Sequence, residues 1–161
     1  MQEIETAYHE AGHAFMGCLI DRLPISVTIV ARGQITGETF FEPDVPKFAR
    51  RVLDPSPEKR RYAEQRVLTE LADTAAHDLL CPGRIHDSGD ENDLAITNEL
   101  IKELVSWADN RDEYLRDCQT RAVKLLQQNW PWVEAVAKAL LEKKTLQREI
   151  ILSLRTNLLA E

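Results

Sequence analysis

The segment 6–14, near the start of the chain, constrains fold and chemistry most strongly. It contains the pattern His-Glu-x-x-His, formed by His9, Glu10 and His13. On a helix, residues four apart lie one turn apart on one face, so both imidazoles can reach one metal ion. Glu10 lies about 100° round the helix from His9, where it flanks the ion without binding it. The pattern therefore predicts a zinc site in which the carboxylate accepts a proton from bound water.

Two surface histidines that arise by chance are the alternative to a metal site. Gly12 argues against it, because glycine costs about 1 kcal/mol relative to alanine in a helix interior, and its presence suggests that another segment packs close to the backbone. The flanking residues are small or apolar: Ala7, Ala11, Ala14, Phe15, Met16, Leu19 and Ile20. They predict a buried helix, and buried histidines need partners.

The chain has 161 residues, which is most simply one domain. We expect the metal-site helices and a β-hairpin in 1–110 and further helices in 111–161. The net charge of −7 makes nucleic acid an unexpected partner. Cys18, Cys81 and Cys118 lie far apart, which predicts small core residues in a reducing compartment rather than disulfides or a thiolate zinc site.

Targeting signals and nucleotide-binding motifs are not found in the sequence. No apolar run reaches the ~20 residues that span a bilayer, and the N-terminus does not resemble a signal peptide. The P-loop pattern G-x-x-x-x-G-K-[ST] is also missing. We therefore expect a cytoplasmic protein that does not insert into a membrane and does not hydrolyse nucleotide itself.

Hydrophobic periodicity and turn residues predict a mainly α fold, a helical bundle with a small β-hairpin or sheet. Strands are expected at 25–30 and 37–41, and the proline-rich segment 42–58 is the longest predicted loop. A serine cap and a proline at the first position predict a helix from 57 to about 80. Further helices are expected at 3–21, 91–107, 111–129, 131–143 and 146–159, with Thr145 as a cap.

A catalytic zinc site needs a third protein ligand, and Asp93 is the best candidate. Apolar residues follow it at i+3, i+7, i+11 and i+14, which places Asp93 on the inward face of its helix. They are Ile96, Leu100, Leu104 and Trp107. A helix that carries Asp93 would have to come close to Gly12 to complete the site. The alternative is a first-turn aspartate that interacts with the helix dipole.

Asp78 is a candidate for a supporting role, because it falls near the buried stripe of its own helix, seven residues after Leu71. It would orient a ligand histidine, although a buried salt bridge is an equal alternative. His77 and His86 rank below Asp93 as ligands.

These residues resemble the peptidase domain of FtsH-type ATP-dependent zinc metalloproteases. The resemblance lies in the segments 6–14, 27–33, 37–41 and 88–94. It implies Zn²⁺ as cofactor and an aspartate ligand at the position of Asp93. It also implies that an edge strand binds unfolded polypeptide through its backbone, at Gly37, Glu38, Thr39 and Phe40. For Phe40, core packing remains an equal alternative.

The chain also departs from the family pattern. The family's Gly-Gly-Arg-x-Ala-Glu-Glu segment appears here as Ala-Asp-Thr-Ala-Ala-His-Asp at 72–78. The family joins this domain to a membrane anchor and an AAA+ ATPase, and we expect neither in this chain. The resemblance therefore implies a zinc endopeptidase for peptides or unfolded polypeptides. The alternative is a catalytically silent interaction domain that assembles with copies of itself or with an AAA+ ATPase in trans.

Overall fold

The computed structural model describes residues 3–42, 57–83, 91–105 and 110–159. Within them the chain is mainly helical with one small antiparallel sheet, which confirms the predicted fold class. The helices are α1 (Glu3–Leu19), α2 (Pro57–Glu70), α3 (Ala72–Leu80), α4 (Glu91–Leu104), α5 (Arg111–Gln128), α6 (Trp130–Lys143) and α7 (Arg148–Leu159). The strands are β1 (Pro24–Thr28), β2 (Glu38–Phe41) and β3 (Thr145–Gln147).

Helix α1 lies at the centre of the fold and packs mainly against α3 and α6. Small residues make this possible, since Ala7, Ala11 and Ala14 are fully buried between its neighbours. The helix ends at Leu19, and Asp21 then takes a left-handed backbone conformation with φ of 60°. The burial predicted for the motif helix is therefore confirmed except at Leu19, which is 39% exposed, and the helix ends two residues before the predicted position.

The sheet has the order β2-β1-β3, so β2 is an edge strand among the described strands. The predicted hairpin is confirmed: β1 pairs antiparallel with β2, with Val27 opposite Thr39. Strand β3 was not predicted. Thr145, expected as a helix cap, instead pairs with Thr28 in the sheet, and their hydroxyl oxygens lie 2.8 Å apart. A three-residue strand has no periodicity of its own, so only pairing with β1 defines it.

The helix predicted for 57–80 is in fact two helices, α2 and α3, which meet at Leu71. Neither glycine nor proline marks this break, and the row of buried apolar residues continues across it from Val67 to Ala75. Helix α4 ends at Leu104 rather than at 107. Most of the predicted loop 42–58 lies outside the described residues.

Gly12 lies where α1 and α3 are in close contact. A Cβ at this position would stand 2.6 Å from the carbonyl oxygen of Ala72 and 3.0 Å from the Cβ of Ala76. The neighbour that makes glycine necessary is therefore α3, and not the helix of Asp93 as predicted.

Gly12→Ala should lower the free energy of unfolding by about 1–3 kcal/mol, because the added methyl group clashes with backbone that cannot move aside cheaply. The clash must outweigh the gain in helix propensity of about 1 kcal/mol. Denaturant unfolding followed by circular dichroism measures the change. The exposed α5 substitution Gln119→Ala is the control, expected within about 0.5 kcal/mol of wild type. A Gly12→Ala protein of equal or greater stability would contradict the close packing.

Two of the three free cysteines belong to the core. Cys18 is 4% exposed and Cys118 is 1% exposed, whereas Cys81 is half-buried. Burial raises the pKa of the Cys18 thiol to about 11 and also raises that of Cys118. Both should remain protonated and unreactive at neutral pH.

At pH 8 an aromatic disulfide reagent should therefore label Cys81 in the native protein, while Cys18 and Cys118 react only after unfolding in guanidinium. The absorbance of the released thiolate counts the reactive groups. Cys81→Ser should abolish the native-state signal, and two or more rapidly reacting thiols in the folded wild type would show that the core is open.

Candidate metal centre

His9 and His13 lie one turn apart on the same face of α1, as the motif predicts. Their ring centroids are 4.9 Å apart and their planes are inclined by 76°. His13 is buried, and the side chain of His9 is 14% exposed. The two imidazoles therefore stand together at the boundary between the core and a cleft.

A backbone carbonyl determines the tautomer of His13. The Nδ1 atom of His13 lies 2.8 Å from the carbonyl oxygen of Thr69, at the end of α2. A carbonyl oxygen only accepts hydrogen bonds, so Nδ1 carries a proton, and in the neutral imidazole Nε2 therefore keeps its lone pair. This is the state in which a histidine binds a metal through Nε2.

Glu10 is buried beside the histidines and is held by the edge strand. The hydroxyl of Thr39 donates a hydrogen bond of 2.7 Å to its Oε2 atom, while Oε1 lies 3.8 Å from Nε2 of His9. Gly37 makes the close approach possible, because a Cβ there would stand 2.8 Å from both Cγ and Oε1 of Glu10. Strand β2 and the carboxylate are thus parts of one site.

Asp73, at the start of α3, is a member of the site that was not predicted. It is 2% exposed, and its Oδ2 atom lies 3.9 Å from Nδ1 of His9. His9, His13 and Asp73 each offer a ligand atom, and these atoms lie within 4.8 Å of one another. The sequence signal for Asp73 was the departure at 72–78, which places a carboxylate where the family pattern has glycine.

The two aspartates predicted from the sequence have different positions. Asp93 lies in α4, but its side chain is outside the described part of the structure. Asp78 lies on α3 and is exposed, so the buried carboxylate of that helix is Asp73. The supporting role predicted for Asp78 remains a prediction.

A cleft of about 280 Å³ opens above the motif. It is lined by His9, Glu10, His13, Arg22, Ile35, Gly37, Glu38, Thr39, Phe41, Arg66, Thr69, Glu70 and Ile96. Three of the four predicted strand residues therefore face the same space as the motif. Phe40 is half-buried and does not line the cleft, whereas Phe41 does and lies 4.2 Å from the Arg22 guanidinium.

Arg66, on α2, also lines this cleft. Its guanidinium forms an i,i+4 ion pair of 3.2 Å with Glu70, which is buried at 8% exposure. Arg66 reaches the cleft because α2 ends beside α1. Its position therefore depends on how the two helices pack and not on a local sequence pattern.

The residues present fit a zinc ion. The Nδ1 atom of His13 is held by the Thr69 carbonyl, which leaves Nε2 to face a metal, and the ring of His9 stands beside it, so the two motif histidines offer the paired nitrogen donors of a zinc site. In addition, Oδ1 of Asp73 is buried with no hydrogen-bond partner among the described residues. A buried carboxylate of this kind is costly unless a positive group is nearby.

The described helices do not include one that is both long enough and apolar enough to cross a membrane.

The chain is similar in sequence to known proteins that are described as zinc metalloproteases. ATP-dependent zinc metalloprotease FtsH of Haemophilus influenzae is 32% identical over 107 residues, which cover 65% of this chain and 16% of that protein. FtsH of Caldicellulosiruptor bescii is 30% identical over 175 residues, covering 89% of this chain and 28% of that protein.

A plant relative, the chloroplastic ATP-dependent zinc metalloprotease FTSH 5 of Arabidopsis thaliana, is 30% identical over 101 residues. The chain spans less than a third of the length of each of these relatives. The model of peptidase family M41 matches residues 2–109, the part that holds the motif, the hairpin and α2 to α4. The resemblance inferred from the motifs is therefore confirmed, and the chain belongs to peptidase family M41.

Proposed function

We propose that the chain is a zinc-dependent endopeptidase domain that hydrolyses peptide bonds in peptides or unfolded polypeptides. The observation that carries this proposal is the hydrogen bond from Thr39 to Glu10, which joins an edge strand to the carboxylate of the metal-binding motif. A peptide on that strand would lie next to the acid–base group. The relatives described as zinc metalloproteases support the same reaction.

His9, His13 and Asp93 would hold the zinc ion. Helix α4 reaches the cleft at Ile96, and Asp93 lies one turn earlier along the same helix. When bound, zinc lowers the pKa of water towards neutrality and polarises a carbonyl oxygen. The carbonyl of Thr69 would hold His13 in the correct tautomer throughout.

Glu10 would be the general base and then the general acid. It would accept the proton that water loses on attacking the peptide carbonyl and deliver it to the leaving amine nitrogen. The Thr39 hydroxyl holds Oε2, while Oε1 lies on the side of His9 where the reacting groups would meet. A purely structural interaction domain has no chemical need for this buried carboxylate, which argues against the silent alternative.

Substrate would bind by adding a strand to the sheet. Strand β2 pairs with β1 on one side, and an extended peptide could pair with its other edge through backbone hydrogen bonds. Such binding requires an unfolded segment, since a folded domain does not offer a free extended backbone. Delivery of folded substrates would require an AAA+ ATPase partner in trans, and assembly into a homo-oligomer would be compatible with this role.

Glu10→Gln should reduce the hydrolysis of casein by at least about 100-fold, because the amide cannot accept the proton from water. Bound zinc, measured by elemental analysis after dialysis, should remain at the wild-type level, since Glu10 is not a ligand. Glu99→Gln, an exposed substitution on α4, is the control and should leave the rate unchanged. Full activity in the Glu10 variant would contradict the proposed role of Glu10 as the general base.

Asp93→Ala should lose most of the bound zinc, because two histidines alone hold the ion weakly. Elemental analysis of the dialysed protein gives the metal content per chain. The matched control is Asp112→Ala, which removes another aspartate from the first turn of a helix, α5, and should keep its zinc. If the two variants retain equal zinc, Asp93 is a helix-dipole residue and the third ligand is another group.

A further inference from the structure

We infer that Asp73 is a positioning residue that holds His9 in its metal-binding orientation and does not itself bind the metal. This inference rests on the zinc site of the proposed function. It concerns a residue that the motif did not indicate, on a helix whose sequence departs from the family pattern.

The two carboxylates beside His9 lie at opposite nitrogens of its ring. Glu10 Oε1 is 3.8 Å from Nε2, and Asp73 Oδ2 is 3.9 Å from Nδ1. Because Glu10 must reach water on the metal, the metal belongs on the Nε2 side. Asp73 then lies behind the ring, where a carboxylate can accept a hydrogen bond from Nδ1–H.

His13 has a related arrangement, because its Nδ1 atom also faces an oxygen atom of the α2–α3 segment. Its Nδ1 faces the carbonyl oxygen of Thr69, four residues before Asp73, just as His9 lies four residues before His13. His9 therefore pairs with Asp73 and His13 pairs with Thr69, which means that α1 and the α2–α3 segment run in opposite directions at the site. One segment supports the Nδ1 atoms of both histidines.

The energetics also favour a role for Asp73 that depends on the metal. Its carboxylate is 2% exposed, and Oδ1 has no hydrogen-bond partner among the described residues. At 3.9 Å, Oδ2 is beyond ordinary hydrogen-bond length from His9. Such a carboxylate costs stability in the metal-free chain. A neutral His9 that binds metal through Nε2 carries its proton on Nδ1, facing Asp73, and metal binding would therefore offset part of that cost.

The test compares the zinc affinity of the wild-type chain with that of Asp73→Ala and Asp73→Asn, by competition with a chromophoric chelator. Asp73→Ala should bind zinc about 10- to 100-fold more weakly. Asp73→Asn should lose less, since its amide oxygen can still accept the hydrogen bond. Asp112→Asn removes one negative charge elsewhere and should bind zinc as the wild type does.

Cobalt substitution distinguishes a positioning residue from a ligand. At saturating Co²⁺, the visible absorption bands of both Asp73 variants should match the wild type in position and intensity, because the ligands are unchanged. Altered bands would mean that Asp73 binds the metal and would overturn the inference. Unchanged zinc affinity in Asp73→Ala would overturn it as well.

Thermal unfolding provides a readout that a purely structural aspartate would not produce. Metal-free Asp73→Asn should melt at the wild-type temperature or above it, whereas the increase in Tm on adding zinc should shrink. A lower metal-free Tm with an unchanged zinc-induced increase would contradict the proposed role. If Asp73→Ala does not fold, the zinc affinity, cobalt spectrum and thermal unfolding of the near-isosteric Asp73→Asn variant test the inference instead.

None of these readouts uses peptide hydrolysis, so this inference and the proposed function can fail separately. A chain that shows the Asp73 effects on zinc affinity but cleaves no peptide would overturn only the endopeptidase proposal. A wild-type chain that binds no zinc would overturn both.

Discussion

The close approach of α1 and α3 at Gly12 is the contact on which the site depends. With no side chain at Gly12, the backbone of Ala72 can lie directly against α1. That contact brings the next residue, Asp73, to His9, and the end of α2 brings Thr69 to His13. A single packing constraint therefore places Asp73 at the Nδ1 atom of His9 and the Thr69 carbonyl at the Nδ1 atom of His13.

A second close approach joins the Glu10 carboxylate to the sheet. Gly37 allows β2 to pass beside Glu10, and Thr39 then donates its hydroxyl to the buried carboxylate. Because β2 is also the edge strand of the described sheet, the proposed peptide-binding edge and the proposed acid–base group would be held by the same few residues. Binding and chemistry in the proposed reaction would thus share one rigid support.

The site keeps polar groups in places where burial is costly. Glu10 and Asp73 are almost completely buried; Glu10 accepts a short hydrogen bond from Thr39, whereas Oδ1 of Asp73 has no hydrogen-bond partner among the described residues. A buried carboxylate is costly unless a positive group lies nearby. The burial of Asp73 next to His9 is the feature that the inferred positioning role would explain.

Local patterns in the sequence determined the pairing of His9 with His13 on one helix face, the motif helix, the hairpin and the mainly helical fold, because i,i+4 spacing and strand alternation act within a few residues. The tertiary structure alone decided that Asp73 stands behind His9, that Arg66 lines the cleft, and that Thr145 joins the sheet. These positions depend on how separate elements pack, and packing distances between helices leave no periodic signal in a single sequence.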